Sequence, residues 1–232
     1  MEGEHGMTVE ENVKSINIEV KEICQKVGRD VSDIHIIAVT KYVSIETAQA
    51  ALHTGLQHIG ENRVDGALTK WEALQPQGIW HFIGTLQSRK AKDIVGKYEY
   101  LHSLERVSLA KELDKRMPSG RKMKCFVQVN VSGEESKSGI HPSEVEAFIE
   151  TLVEYKGIEV IGLMTMAPFY DDPEQTRPIF RKLRELRDQI RQRKWSHAPC
   201  HELSMGMSND YKVALEEGAT FIRIGTALVG KE

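Results

Sequence analysis

Ile34-His35-Ile36-Ile37-Ala38-Val39-Thr40-Lys41, then Ile45–Thr54, then Gln57-His58-Ile59-Gly60-Glu61-Asn62, is the stretch that decides the fold. The first segment is a short apolar run that reads as a buried β-strand. The second carries apolar residues at helical spacing, and the third is apolar again. A strand, a helix and a second strand in so short a span read as one unit of a parallel sheet, because parallel neighbours need a crossover between them.

The same alternation runs to the end of the chain. Further strands are expected at Ile79–Gly84, Tyr100–Ser103, Lys124–Val131, Ile158–Met166, Glu202–Gly206 and Phe221–Gly225. Helices are expected between them at Val64–Leu74, Arg89–Lys97, Val107–Met117, Pro142–Tyr155, Pro173–Lys194 and Asn209–Glu217. A leading amphipathic helix, about Thr8 to Val27, carries Val9, Val13, Ile16, Val20, Ile23 and Val27 at helical spacing, and Gly28 ends it. Eight strand-helix units predict an α/β fold: a single TIM-type (β/α)8 barrel with an extra N-terminal helix. A doubly wound open sheet is the alternative. The barrel is preferred because eight evenly spaced strands close without an exposed edge.

The chain has 232 residues, 40% hydrophobic and 28% charged, with a formal net charge of -3. That balance fits a globular protein and gives no bulk attraction to nucleic acid or anionic membrane. No apolar stretch is long enough to span a bilayer. Residues 1–7 read as a disordered tip without a secretory h-region, and 8–232 as one barrel domain without a linker. Cys24, Cys125 and Cys200 are far apart and lack CxxC spacing, so neither a disulfide framework nor a zinc site is expected, and a reducing cytoplasm is the natural compartment. His197-Ala-Pro-Cys-His201 lacks a second pair of ligands and reads as a surface loop. The basic run Arg181–Lys194 carries the stripe Phe180, Leu183, Leu186 and Ile190, which makes it an outer barrel helix with a solvated basic face.

Lys41 ends the first strand. A lysine held where a strand leaves an apolar core loses hydration, which frees its amine as a nucleophile toward carbonyls. Taken alone, the segment reads first as a solvated strand-end lysine, and the rest of the chain changes that reading. In a barrel, functional residues gather at the C-terminal strand ends. Those ends supply Lys41, Glu61-Asn62, Gly84, Asn130, Met164-Thr165-Met166, Ser204 to Ser208 and Arg223 to Thr226. Gly206, Gly225 and the hydroxyls of Ser204, Ser208 and Thr226 suit an anion after strands seven and eight, or else two ordinary β-to-α turns. Arg223 lies near the mouth and needs a polar ligand or an ion pair with Glu61 or Glu202.

The ordered motifs Ala38-Val39-Thr40-Lys41, Ile59-Gly60-Glu61-Asn62-Arg63, His81-Phe82-Ile83-Gly84-Thr85-Leu86-Gln87-Ser88 and Gln128-Val129-Asn130 go further. So do Glu135 to Gly139, Gly162-Leu163-Met164-Thr165-Met166, Leu203 to Asp210 and Arg223-Ile224-Gly225. With these motifs the chain resembles, from about Ile16 to Gly230, the pyridoxal phosphate homeostasis proteins, the YggS/PROSC family. The resemblance implies a barrel similar to the N-terminal domain of alanine racemase, with pyridoxal 5'-phosphate (PLP) held as a Schiff base on Lys41. It places the phosphate on Ser204, Gly225 and Thr226 near Ser208, sets Arg223 toward the pyridine nitrogen, and borders the ring with Asn62 and Met164. Lys137 stands where related racemases have an arginine. Arg89 and Tyr42 depart from the family pattern, away from the expected phosphate and nitrogen contacts.

An always-charged arginine beside the ring nitrogen leaves the cofactor a weak electron sink, which suits a carrier or a racemase that passes protons quickly. Racemization also needs a second base, which alanine racemases take from a further β-rich domain of a partner subunit. This sequence stops a few residues after the eighth strand. The expectation is therefore a PLP carrier or buffer in vitamin B6 homeostasis, monomeric, serving PLP-dependent apo-enzymes and not acting as a catalyst. A low-activity racemase-like PLP enzyme is the runner-up. A PLP-free aldolase using Lys41 is the third reading.

Overall fold

The computed structural model describes residues 6–135 and 137–232. The tip expected over residues 1–7 lies, up to residue 5, outside the described residues; Gly6 and Met7 are exposed coil.

Eight parallel strands close a barrel in chain order. They are β1 (His35–Val39), β2 (His58–Glu61), β3 (Ile79–Phe82), β4 (Tyr100–Leu104), β5 (Met123–Gln128), β6 (Ile158–Met164), β7 (Glu202–Ser204) and β8 (Phe221–Ile224). Closure comes from β8 pairing with β1, with Ile37 opposite Arg223 and Ala38 opposite Ile224. The open sheet is thereby excluded. Every strand but β4 ends earlier than its apolar run; β4 runs one residue further than expected, to Leu104. Backbone pairing between β1 and β2 stops at Val39 opposite Gly60, and Thr40 N–H adds one last bond to Gly60 O at 3.1 Å. Lys41 therefore lies in the turn after the strand and not in it.

Among the described residues nine α-helices surround the barrel: α1 (Val9–Val27), α2 (Ile45–His53), α3 (Ala67–Leu74), α4 (Ala91–Ile94), α5 (Val107–Arg116), α6 (Val145–Thr151), α7 (Arg177–Gln192), α8 (Tyr211–Glu216) and α9 (Thr226–Val229). The fourth is only one turn long, and α6 is flanked by 3-10 turns at Pro142–Glu144 and Leu152–Glu154 where one long helix is expected from sequence. The extra helix α1 starts at Thr8 in a reciprocal capping box with Glu11 and stops at left-handed Gly28. It buries Val13, Ile16, Val20 and Cys24, packs on α2, α8 and α9, and donates from Asn12 Nδ2 to Leu228 O at 3.0 Å.

Helix α7 buries Phe180, Leu183 and Ile190. Its basic face is not merely solvated: Arg177, Arg181 and Arg184 converge on the buried Glu217 that follows α8. The 197–201 segment is only partly a surface loop, because Ala198 and Cys200 are buried and His197 Nε2 bonds Ile149 O at 2.9 Å. All three cysteines are free and buried. No described helix is long and apolar enough to cross a membrane.

Candidate functional site

Two adjoining cavities of about 500 and 400 Å³ open at the C-terminal mouth of the barrel. Val39, Lys41, Lys137, Met166 and Met207 line both. One cavity runs to Ser208, Asp210, Gly225 and Thr226. The other runs to Asn62, Gly84, Gln128, Asn130 and Arg223. Two primary amines thus stand where the cavities meet, with hydroxyls at one end and a guanidinium at the other. The combined space is in the range of small-molecule sites.

Lys41 is half-buried and set on a rigid base. Thr40, just before it, is fully buried. Its hydroxyl donates to Glu61 Oε1 at 2.7 Å, and Lys70 Nζ from α3 donates both to Thr40 O and, at 2.9 Å, to Glu61 Oε1. This buried Lys70–Glu61 pair therefore grips the peptide unit that carries Lys41. On the outer side, the Lys41 ammonium lies 4.9 Å from the ring centre of Tyr42, a cation–π contact.

Arg223 comes from the interior face of β8 and is 2% exposed. The ion pair with Glu61 or Glu202 considered from sequence does not form: Glu61 is taken by Lys70, and Arg223 has no carboxylate within salt-bridge range among the described residues. Its Nη1 donates to Ser204 Oγ at 2.8 Å and its Nη2 to Thr165 O at 3.1 Å. Burial lowers its pKa to about 10, partly offset by Asp210 at longer range. An arginine at that value is still a cation at neutral pH.

At the other end, Gly206 turns the chain after β7 with φ +102°, and a Cβ there would lie 2.7 Å from Ala214 Cβ. Only glycine lets this loop sit so close on α8. The loop is pinned by Met207 N–H donating to Asp210 Oδ1 at 2.8 Å, and Ser208 Oγ accepts weakly from Ala227 N–H at 3.4 Å. Burial raises the Asp210 pKa. Gly84, two residues past the end of β3, makes a corresponding close approach, since a Cβ would fall 2.3 Å from Asn62 O. That approach holds Asn62 at the cavity wall, where its buried Oδ1 has no partner among the described residues.

Of the residues expected at the site, Lys41, Asn62, Ser208, Arg223, Gly225 and Thr226 line the cavities, and so does Lys137. Ser204 and Met164 do not. Ser204 is fully buried beneath Arg223, its hydroxyl shared between Arg223 and His102 Nδ1 at 2.8 Å. Met164 packs inside the barrel with Ile37, Phe126, Ile161 and Phe221. The period-two alternation of β6 carries on past the strand, so Met166, two residues on, is the methionine at the mouth. Sequence reasoning missed Lys70 and the tie from Tyr42 to Lys41. It also missed three interior histidines, His58, His81 and His102, at inward positions of β2, β3 and β4.

The barrel and its mouth define a class. Residues 13–232 match the family described as alanine racemase, N-terminal domain. Within it, a protein of Aquifex aeolicus named pyridoxal phosphate homeostasis protein is 43% identical over 91% of this chain and 93% of its own. One of Pseudomonas aeruginosa with the same name is 35% identical over 96% and 95%. The structure of PipY from Synechococcus elongatus PCC7942, with PLP bound, superposes with a TM-score of 0.79 at 32% identity, covering 91% of this chain and 100% of that one. The chain belongs to the pyridoxal phosphate homeostasis protein family.

Proposed function

We propose that this protein binds PLP through Lys41 and carries or buffers it, using residues 8–232 as one PLP-binding barrel. The single observation that carries the reading is the convergence of Lys41, Arg223, Asn62, Ser208 and Thr226 on adjoining cavities at one barrel mouth. The residues fit the cofactor. Ser208, Thr226 and the Gly225 turn offer hydroxyl and backbone donors for a phosphate. Arg223 offers a cation that donates without supplying a proton, and the unpartnered Asn62 Oδ1 offers a polar edge. PLP brings an aldehyde that condenses reversibly with a primary amine. Lys41 supplies that amine, held by the Lys70–Glu61–Thr40 base. Lys137 borders the same space and is the second amine within it. In this reading Ser204 and Met164 hold Arg223 and the barrel core, and contact with PLP falls to Ser208 and Met166.

Arg223 suits carriage, as it would also suit a racemase that passes protons quickly. A guanidinium in place of a carboxylate leaves the ring nitrogen unprotonated and the cofactor a weak electron sink. The exposed rim of Tyr42, Met166, Phe169 and Met207 leaves the mouth open for exchange with PLP-dependent apo-enzymes. One chain supplies every residue named for the site, which fits a monomer, and the buried free thiols fit a reducing, cytoplasmic setting.

The test is a PLP titration followed by absorbance, with Lys41→Ala beside the parent chain. The loaded protein is then incubated with amino acids in D2O. The expected result is a visible band lost in Lys41→Ala and no enzyme-like exchange of the amino acids' α-hydrogen. Rapid exchange would replace the carrier by a PLP enzyme. An unchanged band in Lys41→Ala would remove Lys41 from its role.

A further inference from the structure

The barrel interior holds a polar column that the proposed site does not use. His58 Nδ1 lies 2.7 Å from His81 Nε2, His81 Nδ1 lies 2.8 Å from His102 Nε2, and His102 Nδ1 lies 2.8 Å from Ser204 Oγ. Ser204 Oγ in turn receives Arg223 Nη1. Four hydrogen bonds thus run from His58, toward the N-terminal ends of the strands, to the guanidinium under the cavity. His81 and His102 are fully buried and His58 is 8% exposed. Aromatic rings clamp the column: His81 stacks on Tyr100 at 4.2 Å and His102 on Phe126 at 4.3 Å.

We infer that His58, His81, His102 and Ser204 form a hydrogen-bond chain of fixed direction that positions Arg223 as a buried, carboxylate-free cation aimed at the cavity. The direction follows from donor arithmetic. Ser204 Oγ accepts from Arg223, so its own proton is free to be donated, and the remaining polar neighbour given to it among the described residues is His102 Nδ1. His102 Nδ1 is then an acceptor, and a neutral imidazole with an accepting Nδ1 carries its proton on Nε2. That proton goes to His81 Nδ1, and the same step repeats from His81 Nε2 to His58 Nδ1. One choice at Ser204 sets every tautomer in the column.

The reverse direction would give Ser204 two donors and turn its hydroxyl proton away from both partners, in a site without water access. It would also point the positive ends of the dipoles at a buried cation. In the inferred direction the negative ends face Arg223, and linked hydrogen bonds polarise one another. The column must stay neutral, since an imidazolium donates from both nitrogens and breaks the chain. Burial does this: His58 is lowered to about 4, and His81 and His102 lie well below their ordinary value. The charged and titratable groups facing the column, His35, Lys124 and Arg223, push the same way.

The arrangement has a use. A carboxylate would take two guanidinium N–H groups in a fork and turn Arg223 toward itself. A serine hydroxyl takes one, and Thr165 O takes another. The remaining donors are left for the cavity. Only this last link, from Arg223 to a bound pyridine, rests on the proposed function; the direction of the chain does not.

The test begins without cofactor. The protein is labelled with 15N-histidine, and the ring nitrogens are assigned by NMR. Near neutral pH, His81 and His102 are expected with protonated Nε2 and bare Nδ1, and to stay neutral well below the pH at which a free imidazole titrates. Either ring found with its proton on Nδ1, or as imidazolium at neutral pH, overturns the inference. A second arm compares His102→Leu with His102→Asn, whose Oδ1 can still accept from Ser204. Loss of the acceptor is expected to weaken PLP binding about tenfold in His102→Leu, with most of the loss restored in His102→Asn. Equal affinity in the parent and both variants would overturn the positioning role, as would equal loss in both variants when each is folded. If neither variant folds, the tautomers of the parent chain decide. A parent chain that binds no PLP would refute the proposed function and leave the tautomer result to stand or fall separately.

Discussion

Replacing Lys70 by methionine should damage the protein more than any exposed lysine could. Lys70 Nζ lies 2.9 Å from Glu61 Oε1, with side-chain exposures of 10% and 4%. Removing the amine leaves Glu61 buried with only the Thr40 hydroxyl at 2.7 Å. An uncompensated buried charge of this kind costs about 3–5 kcal/mol. At about 2–4 °C per kcal/mol for a chain of this size, Tm should fall by roughly 6–20 °C. Thr40 O also loses its donor, so the turn carrying Lys41 loosens, and PLP loading at Lys41 should weaken in the same variant. The double variant Lys70→Met with Glu61→Gln removes both charges and should recover at least half of the lost stability, because the penalty lies in the unpaired carboxylate. The assay is urea unfolding by circular dichroism across the four members of the cycle. A Lys70→Met cost below about 1 kcal/mol, or single losses that simply add in the double variant, would refute this account of the strand end.

Stability should also fall with acid through the histidine column. A histidine whose pKa is lowered by folding binds fewer protons in the native state, so stability is lost as pH drops from about 6.5 toward the folded value. For His58 the fall from 6.5 to about 4 corresponds to roughly 3 kcal/mol, and His81 and His102 act in the same direction. Urea midpoints should decline from neutral pH to about pH 4.5, and decline less in His81→Phe; equal slopes in the two proteins would count against it. Gly206→Ala should destabilise by about 1–3 kcal/mol, since φ +102° and the 2.7 Å approach to Ala214 Cβ both resist a side chain. A change in the unfolding midpoint too small to measure would show that the loop relaxes. Ser208→Ala should weaken PLP binding by about tenfold or more, if the hydroxyl meets the phosphate, while leaving Tm near the parent value; unchanged affinity in the titration would take Ser208 out of the cradle.

The barrel was legible because its strands are buried on both faces and so read as apolar runs. Those runs continued past the sheet wherever backbone pairing stopped first, which is why Lys41 fell in a turn two residues beyond β1. Arg223 could be seen as a charge at an inward position two residues before Gly225. Its partner could not, because a carboxylate is the expected answer and the column of neutral histidines belongs to three other strands. The column had a sequence signal all the same: His58, His81 and His102 each occupy an inward position on successive strands. Ser204 was drawn to the phosphate by its place before Gly206, but it sits inside the barrel under Arg223, and Ser208 in the following turn reaches the cavity. Lys70 was invisible, since nothing in Leu68-Thr69-Lys70-Trp71 marks one lysine of a surface helix as turned inward.

The most direct measurement is borohydride reduction of the PLP-loaded protein followed by peptide mass mapping. One labelled lysine, Lys41, is expected, with loss of the visible band on reduction. Label confined to Lys137 or scattered over surface lysines, or no visible band after PLP is added, would contradict it.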